Sequence, residues 1–317
     1  MVRTARRLAT AVLVIWLVHL LTFLLIRLVP GDPAQQLAGE RATAEEVALI
    51  RTALGLDDPL PVQYGRSLGA LVRGDLGQSI FNGLPVVRML ADAAPATLSV
   101  ALVALLFASL FGVGAGVVAG LRQGGWADRA VSTVATVGIA LPSFWIGMVL
   151  VTFFALVNPW FPATGYAPLS EGGATWLRHL VLPGTTLGLA VAAEIARHTR
   201  GGVIDVLAKP YIRTARARGA TGVRLVRGHV LRNAAIPVVT VLGLQTGKLL
   251  GGTVIVEAVF GISGLGSLAV NSALERDYPV LQGFVIFAAV VVVTANLLVD
   301  VAYGRINPKV NARVRSS

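Results

Sequence analysis

The pattern of apolar and polar positions consists of six long apolar stretches separated by polar segments. Each stretch holds about 20 residues, the length that crosses a bilayer as an α-helix. The predicted spans are Leu8–Val29, Ala96–Leu121, Ala130–Val157, Leu180–Arg197, Ala234–Val256 and Val280–Tyr303. The pattern therefore predicts an all-α membrane protein with six transmembrane helices and both termini on one side.

The composition supports a membrane protein. Hydrophobic residues make up 55% of the 317 residues, charged residues 14%, and the mean hydropathy is +0.74. A soluble domain of this size could not hide so much apolar surface from water. The chain has no cysteine, which excludes disulfides, thiolate metal sites and cysteine nucleophiles.

The positive charges behind the net charge of +11 lie mostly on one side of the predicted membrane topology, and they do not form a cluster suited to nucleic acid. With the amino terminus in the cytoplasm, the inside receives most of the 27 Lys and Arg residues, mainly in the segment 197–232 and the tail. This matches the positive-inside rule and predicts cytoplasmic termini. The first span exceeds the length of a signal-peptide core and is predicted to remain as an anchor.

Four segments follow from this topology: residues 1–29 with the first helix, an extracytoplasmic insertion over 30–95, a transmembrane core over 96–304, and a basic cytoplasmic tail over 305–317. The insertion is too long for a mere connector. One helix is predicted in it over Ala44–Leu54, because Thr43 and Glu46 have the spacing of a capping box.

Glycines and prolines mark special points within the spans. Gly112, Gly116 and Gly120 recur every four residues, which bares a strip of backbone for another helix. The overlapping G-x-G-x-x-A pattern lies mid-span in an apolar helix, a context that does not suit dinucleotide binding. Pro142 is predicted to kink the third span near Ser143, and both residues are candidates for the translocation path.

Two ionisable residues, Lys248 and Glu257, fall in the fifth span and are further candidates for the translocation path, because charge within a bilayer is costly. They are half a turn out of phase on a helix and so do not pair with each other. The alternative places Glu257 at the outer interface and bonds Lys248 to a neighbouring helix.

Catalytic motifs are not found in the sequence. Gly247-Lys248 imitates part of a phosphate-binding loop, but Leu242 stands where glycine is needed and no Ser or Thr follows the lysine. We therefore expect no ATPase site, cofactor or metal on this chain.

A basic segment joins the fourth and fifth spans. Pro210 can begin a helix, Ala and Arg favour its continuation, and Gly219 supplies a left-handed stop. A basic face touching anionic lipid would account for the arginines but not for a helix, a stop and a second helix in series.

This segment resembles the ABC importer permeases of the dipeptide, oligopeptide and nickel transport family. Their general signature, Glu-Ala-Ala-x3-Gly, appears here as Arg213-Thr214-Ala215, three further residues, and Gly219. The positions that match the family's own form are Tyr211, Thr214, Ala215, Arg216, Ala217, Gly219, His229, Arg232, Asn233 and Ala234. The resemblance implies that Tyr211, Arg213, Thr214, Ala215, Arg216, Arg218, Gly219, His229, Arg232 and Asn233 couple this chain to the ATPase. The similarity extends through Gly74-Asp75-Leu76-Gly77, Gly264-Leu265-Gly266 and Arg276-Asp277-Tyr278-Pro279; Ser263 and Asn307 depart from it.

The resemblance implies a type I importer permease with an insertion after helix 1 and a cytoplasmic coupling helix between helices 4 and 5. Its implied partners are a second homologous permease, two ATPase chains that bind ATP and magnesium, and an extracytoplasmic binding protein. Short peptides are the leading implied substrates, with nickel chelates, glutathione or opines as alternatives. A secondary transporter driven by an ion gradient is the rival class, but the sequence shows little of its membrane-depth carboxylates or inverted repeats.

Overall fold

The computed structural model describes residues 2–28, 32–39, 41–53 and 55–306. Over these ranges the chain is helical and has no β-strand, which confirms the all-α prediction. The helices are α1 (Val2–Leu28), α2 (Pro33–Ala38), α3 (Ala44–Ala53), α4 (Leu60–Val72), α5 (Val86–Leu121), α6 (Trp126–Ala140), α7 (Ser143–Val151), α8 (Gly173–Leu207), α9 (Pro210–Ala217), α10 (Gly222–Leu225), α11 (Arg232–Phe260), α12 (Leu265–Glu275) and α13 (Tyr278–Ile306). Short π-helical segments, Thr152–Val157 and Val226–Leu231, follow α7 and α10.

The predicted six spans are the upper end of the range, four to six, that the described helices allow. Among the described residues, four stretches are each long and apolar enough to span alone: Arg7–Leu28, Val86–Leu121, Gly173–Leu207 and Tyr278–Val299. Two bent pairs, Trp126–Ala140 with Ser143–Val157 and Gly251–Phe260 with Leu265–Glu275, bring the number to six if each pair is one span. The predicted fifth span lies within α11.

The third span is broken rather than kinked. The α6 axis and the axis of the segment after it differ by 102°. Leu141 and Pro142 both take extended backbone angles, with ψ of 133° and 134°. Because proline has no N–H to continue the helical ladder, the chain leaves the helix here and restarts at Ser143. The interruption was predicted, but its size was not.

The fourth span is continuous, although the sequence suggests a break in it. Pro183 and Glu194 are positions where the sequence suggests an interruption, yet α8 runs without a break for 35 residues. Pro183 is buried in this helix, where packing against neighbouring helices offsets the lost backbone hydrogen bond.

The described chain divides into two compact units, and the first comprises Met1–Ala94 and Ser267–Val293. In it, His19 Nε2 of α1 lies 3.0 Å from the hydroxyl of Ser67 in α4. The ring of Phe23 meets that of Tyr64 edge-on at 5.1 Å. The His19 ring also lies 5.4 Å from that of Tyr64, so His19 has a packing and hydrogen-bonding role, as is typical of a polar residue within a span.

Local and distant contacts order the insertion within this first unit. The Thr43 N–H donates to Glu46 Oε2 at 2.8 Å, and the Glu46 N–H donates to the Thr43 hydroxyl at 3.3 Å, which confirms the predicted capping box. The hydroxyl of Ser79 donates to buried Asp277 at 2.5 Å. This bond joins the region of the Gly74-Asp75-Leu76-Gly77 motif to the Arg276-Asp277-Tyr278-Pro279 motif, which is far away in the sequence.

The second unit, Pro95–Gly266 with Thr294–Ser317, contains a close contact between α5 and α8. A methyl group at Gly116 would lie 2.5 Å from the carbonyl oxygen of Ala196, and one at Gly188 would lie 2.8 Å from that of Ala104. Glycines of both helices therefore face the partner backbone. The predicted glycine strip on α5 is confirmed, and α8 contributes a matching one.

We predict that Gly116→Ala lowers the melting temperature of the purified protein, whereas Gly114→Ala does not. The added methyl at position 116 meets backbone atoms of α8, while at Gly114 no atom lies within 4 Å. Overpacking of this kind costs about 1–3 kcal/mol. Thermal unfolding in detergent measures both variants, and equal melting temperatures would contradict the proposed close contact.

Candidate functional site

The helix α9 begins and ends where the sequence predicts. Lys209 is extended, Pro210 occupies the first helical position, and Gly219 has a φ of +82°. The Gly219 N–H donates to the carbonyl of Arg216 at 2.9 Å, and the Ala220 N–H donates to that of Ala215 at 3.0 Å. This pair of bonds is a Schellman motif, which stops the helix in a fixed direction.

The two faces of α9 differ in character. Ile212 and Ala215 are buried, while the other face is exposed and basic. The exposed positions include Tyr211, Arg213, Thr214, Arg216 and Arg218. A short helix with one apolar face and one charged face can dock on its own protein and still offer charge to another.

The buried face of α9 belongs to a small hydrophobic cluster at the end of α8. Ile212 and Ala215 share this cluster with Val203 and Val206 of α8. Leu225 and Val230 complete its buried part, and Val117 of α5 packs against it. These apolar contacts fix α9 to the long helix before it, so that α9 and the end of α8 form one packed body.

For three of the predicted site residues, the structure describes the backbone but not the side chain. The backbone of His229 lies in the π-helical segment before α11, and that of Arg232 and Asn233 lies at the start of α11. Their side chains are outside the part of the chain that the structure describes.

Lys248 is bonded to a neighbouring helix, as one of the two sequence interpretations proposed. Its Nζ lies 3.3 Å from both carboxylate oxygens of Glu194 in α8. The Lys248 side chain is 65% exposed and that of Glu194 is 28% exposed. The sequence alone did not identify Glu194 as the partner, because the two residues are far apart along the chain.

Glu257 is buried inside the protein. It is 1% exposed, and the hydroxyl of Thr97 in α5 donates to its Oε1 at 2.6 Å. The Leu265 N–H in turn donates to that hydroxyl at 2.7 Å. A methyl group at Gly264 would lie 2.5 Å from the Glu257 carboxyl, so this carboxyl fills the space that glycine leaves open.

A further ion pair was not predicted from the sequence. Arg200 of α8 donates to both carboxylate oxygens of Asp128 in α6, at 2.5 Å and 2.8 Å. Asp128 is 4% exposed and also accepts from the Gly124 N–H at 2.9 Å. Two parallel bonds of this kind fix orientation as well as distance, so the start of α6 is held firmly to α8.

Pro142 and Ser143, the other candidates for the translocation path, lie at the break between α6 and α7.

Comparison with known families decides the class. A model described as "Binding-protein-dependent transport system inner membrane component" matches residues 112–312, and the model of its N-terminal region matches residues 1–101. The chain belongs to this family. The permease therefore is a multi-pass membrane protein of an ABC importer, and the resemblance to the dipeptide, oligopeptide and nickel family is confirmed.

Curated relatives match this permease over nearly its whole length. A "Probable peptide ABC transporter permease protein y4tP" from Sinorhizobium fredii is 41% identical over 305 residues, covering 96% of this chain and 97% of that protein. The "Glutathione transport system permease protein GsiC" from Escherichia coli is also 41% identical, with the same coverage.

A solved structure shares the fold. The permease matches a chain of the MetNI methionine ABC transporter in an inward-facing conformation with a TM-score of 0.58 and 19% identity. The match covers 70% of this permease and 97% of that chain. The likeness confirms the predicted type I fold class.

We predict that Thr97→Val destabilises the permease, whereas Thr97→Ser leaves it close to wild type. Valine keeps the shape of threonine but removes the hydroxyl that links Glu257 to the Leu265 N–H. The lost bonds should cost about 1–3 kcal/mol. Melting temperatures in detergent test this, and a Thr97→Val protein as stable as Thr97→Ser would show that the hydroxyl is unimportant.

Proposed function

We propose that this permease imports di- and oligopeptides as one half of the translocation path of an ATP-driven transporter. Its partners are a second homologous permease, two cytoplasmic ATPase chains and an extracytoplasmic binding protein. ATP and magnesium bind to the ATPase chains, and this chain itself carries no catalytic site. Both termini and α9 lie on the cytoplasmic side.

The observation that carries this proposal is the two-faced geometry of α9. Its apolar face is fixed to the end of α8, while Arg213, Arg216 and Arg218 are exposed around the same short element. The three guanidinium groups suit acidic groups on an ATPase, because charge-assisted hydrogen bonds from arginine are strong and directional. When the ATPase pair closes on ATP, α9 moves with it and displaces α8.

The remaining motif residues take supporting roles in this proposal. Tyr211 and Thr214 add contact surface on the exposed face of α9, and Ala215 keeps the buried face small enough to pack closely. Arg232 and Asn233 fix the chain where it returns to the membrane, by bonding backbone groups that helix ends leave free.

Peptides are favoured as substrates because the relatives that match along the whole chain are named for peptide or glutathione transport. Glutathione is the second candidate, and it is itself a short peptide. Both candidates are flexible and carry an α-ammonium group and a terminal carboxylate, so one path can serve either, while the binding protein selects between them.

We predict that Gly219→Val uncouples ATP hydrolysis from transport without preventing membrane insertion. At a φ of +82° a branched side chain is strained, so the exit from α9 must change direction. Gly228→Val is the matched control, since Gly228 is exposed in the same segment and no atom lies within 4 Å of its added methyl. In proteoliposomes holding the complete transporter, ATP-driven uptake should fall about tenfold or more for Gly219→Val only. Equal uptake by both variants would count against the assignment.

We predict that the complete reconstituted transporter accumulates labelled alanyl-alanine only when ATP is present inside with the ATPase chains. Uptake should survive an ionophore that collapses ion gradients. Labelled glutathione measured beside it separates the two substrate candidates. Uptake that stops with the ionophore but continues without ATP would support a secondary transporter instead.

A further inference from the structure

The pair of Glu194 and Lys248 lies deep within its two helices. At about 1.5 Å per residue, Glu194 is about 20 Å from the end of α8 at Leu207, and Lys248 is about 18 Å from the end of α11 at Phe260. The hydrocarbon core is about 30 Å thick. Lys248 lies within the predicted fifth span and Glu194 lies 3.3 Å from it, so the predicted topology places the pair at membrane depth.

The face of α11 that carries Lys248 is open. Leu244, Lys248, Gly251 and Ile255 are all exposed, and their spacing of four, three and four residues places them on one side of the helix. Lys248 is the single charge on this stripe. Leu249, next to it in the sequence, is buried in the core.

This open face suits neither lipid nor a dry protein interface. Charged side chains at membrane depth face the bundle interior or a water-filled cavity. The cores of protein interfaces are depleted in lysine and glutamate. A lysine side chain that is 65% exposed beside a partly exposed carboxylate is thus best accommodated by a water-lined path.

A third polar group extends the site. Gln245 lies one turn before Lys248, contacts the carboxyl of Glu194, and is 1% exposed. Within the described residues its Nε2 makes no hydrogen bond of ordinary length and angle. A buried amide donor in this position can donate to a carbonyl oxygen of a ligand that enters beside Glu194.

We propose that Glu194 and Lys248 bind the two charged ends of a free peptide during its passage. This inference rests on the proposed import of peptides. Glu194 receives the α-ammonium end and Lys248 receives the α-carboxylate end, while the Gln245 amide donates to a carbonyl oxygen of the peptide. Without a peptide the two side chains neutralise each other at 3.3 Å.

The exchange from self-pairing to peptide binding is energetically easy. A partly exposed ion pair contributes only about 0–1 kcal/mol, so opening it costs little. A zwitterionic peptide returns an opposite charge to each side chain, and an extended dipeptide spans about 7 Å. The long lysine side chain can move to meet that separation while Glu194 stays on α8.

The test compares uptake of alanyl-alanine, its N-acetyl form and its C-amide form by the complete transporter, with the binding protein saturated by each. The variants are Glu194→Gln and Lys248→Met, with Glu171→Gln as a control for an exposed carboxylate outside the site. Each variant is compared with wild type on the same substrate, so the preference of the binding protein cancels. The change in the protein and the blocked end of the peptide together form a double-mutant cycle.

Glu194→Gln should lower uptake of the free dipeptide about tenfold but change uptake of the N-acetyl form less than about twofold. Lys248→Met should lower uptake of the free dipeptide about tenfold but change uptake of the C-amide form less than about twofold. Glu171→Gln should change none of them. If Glu194→Gln fails to assemble, Glu194→Asp carries the same comparison, because it keeps the charge but shortens its reach.

Equal losses on free and blocked peptides would overturn the inference and assign the pair to helix packing or to contact with the second permease. Unchanged uptake of every form would overturn it as well. In both cases wild-type uptake of alanyl-alanine leaves the proposed function standing. Absence of wild-type uptake would instead reject peptide import and this site with it.

Discussion

The close contact between α5 and α8 is the constraint on which the second unit depends. Helices in a bilayer gain little from hydrophobic burial against each other, so they associate by fitting closely. Here glycines on both helices let the backbones approach to distances that leave no room for a methyl group, as at Gly116 and Gly188. In the proposed mechanism, this close fit lets a movement imposed on one end of α8 travel along the helix.

Helix α8 takes part in three features of the second unit. Its end packs against α9, Arg200 binds Asp128 at the start of α6, and Glu194 pairs with Lys248 of α11. From Glu194 to Leu207 the helix covers about 20 Å without a break, at about 1.5 Å per residue. A push on α9 would therefore reach the charged pair at membrane depth through a single rigid element.

Local signals explain what the sequence predicted well. Pro210 and Gly219 set the bounds of α9 because their backbone preferences act without distant partners, and the glycine spacing in α5 marked its contact face. The features that the sequence did not predict depend on contacts between residues that are far apart along the chain. Glu257 was recognised as a costly charge, but its bond to Thr97 joins residues 160 positions apart. Pro183 was expected to interrupt a span, and the neighbouring helices keep it helical.

Cross-linking in the assembled complex tests most directly whether α9 carries force from the ATPase. The chain has no cysteine, so Arg213→Cys introduces a single thiol on the exposed face of α9. A bifunctional thiol reagent should join it to a cysteine placed on the ATPase surface, with a yield that changes when ATP closes the ATPase pair. Glu171→Cys, on the opposite side of the membrane in the proposed topology, should give no such product. Failure of Arg213→Cys to cross-link in an active transporter, or its labelling from outside, would contradict the account.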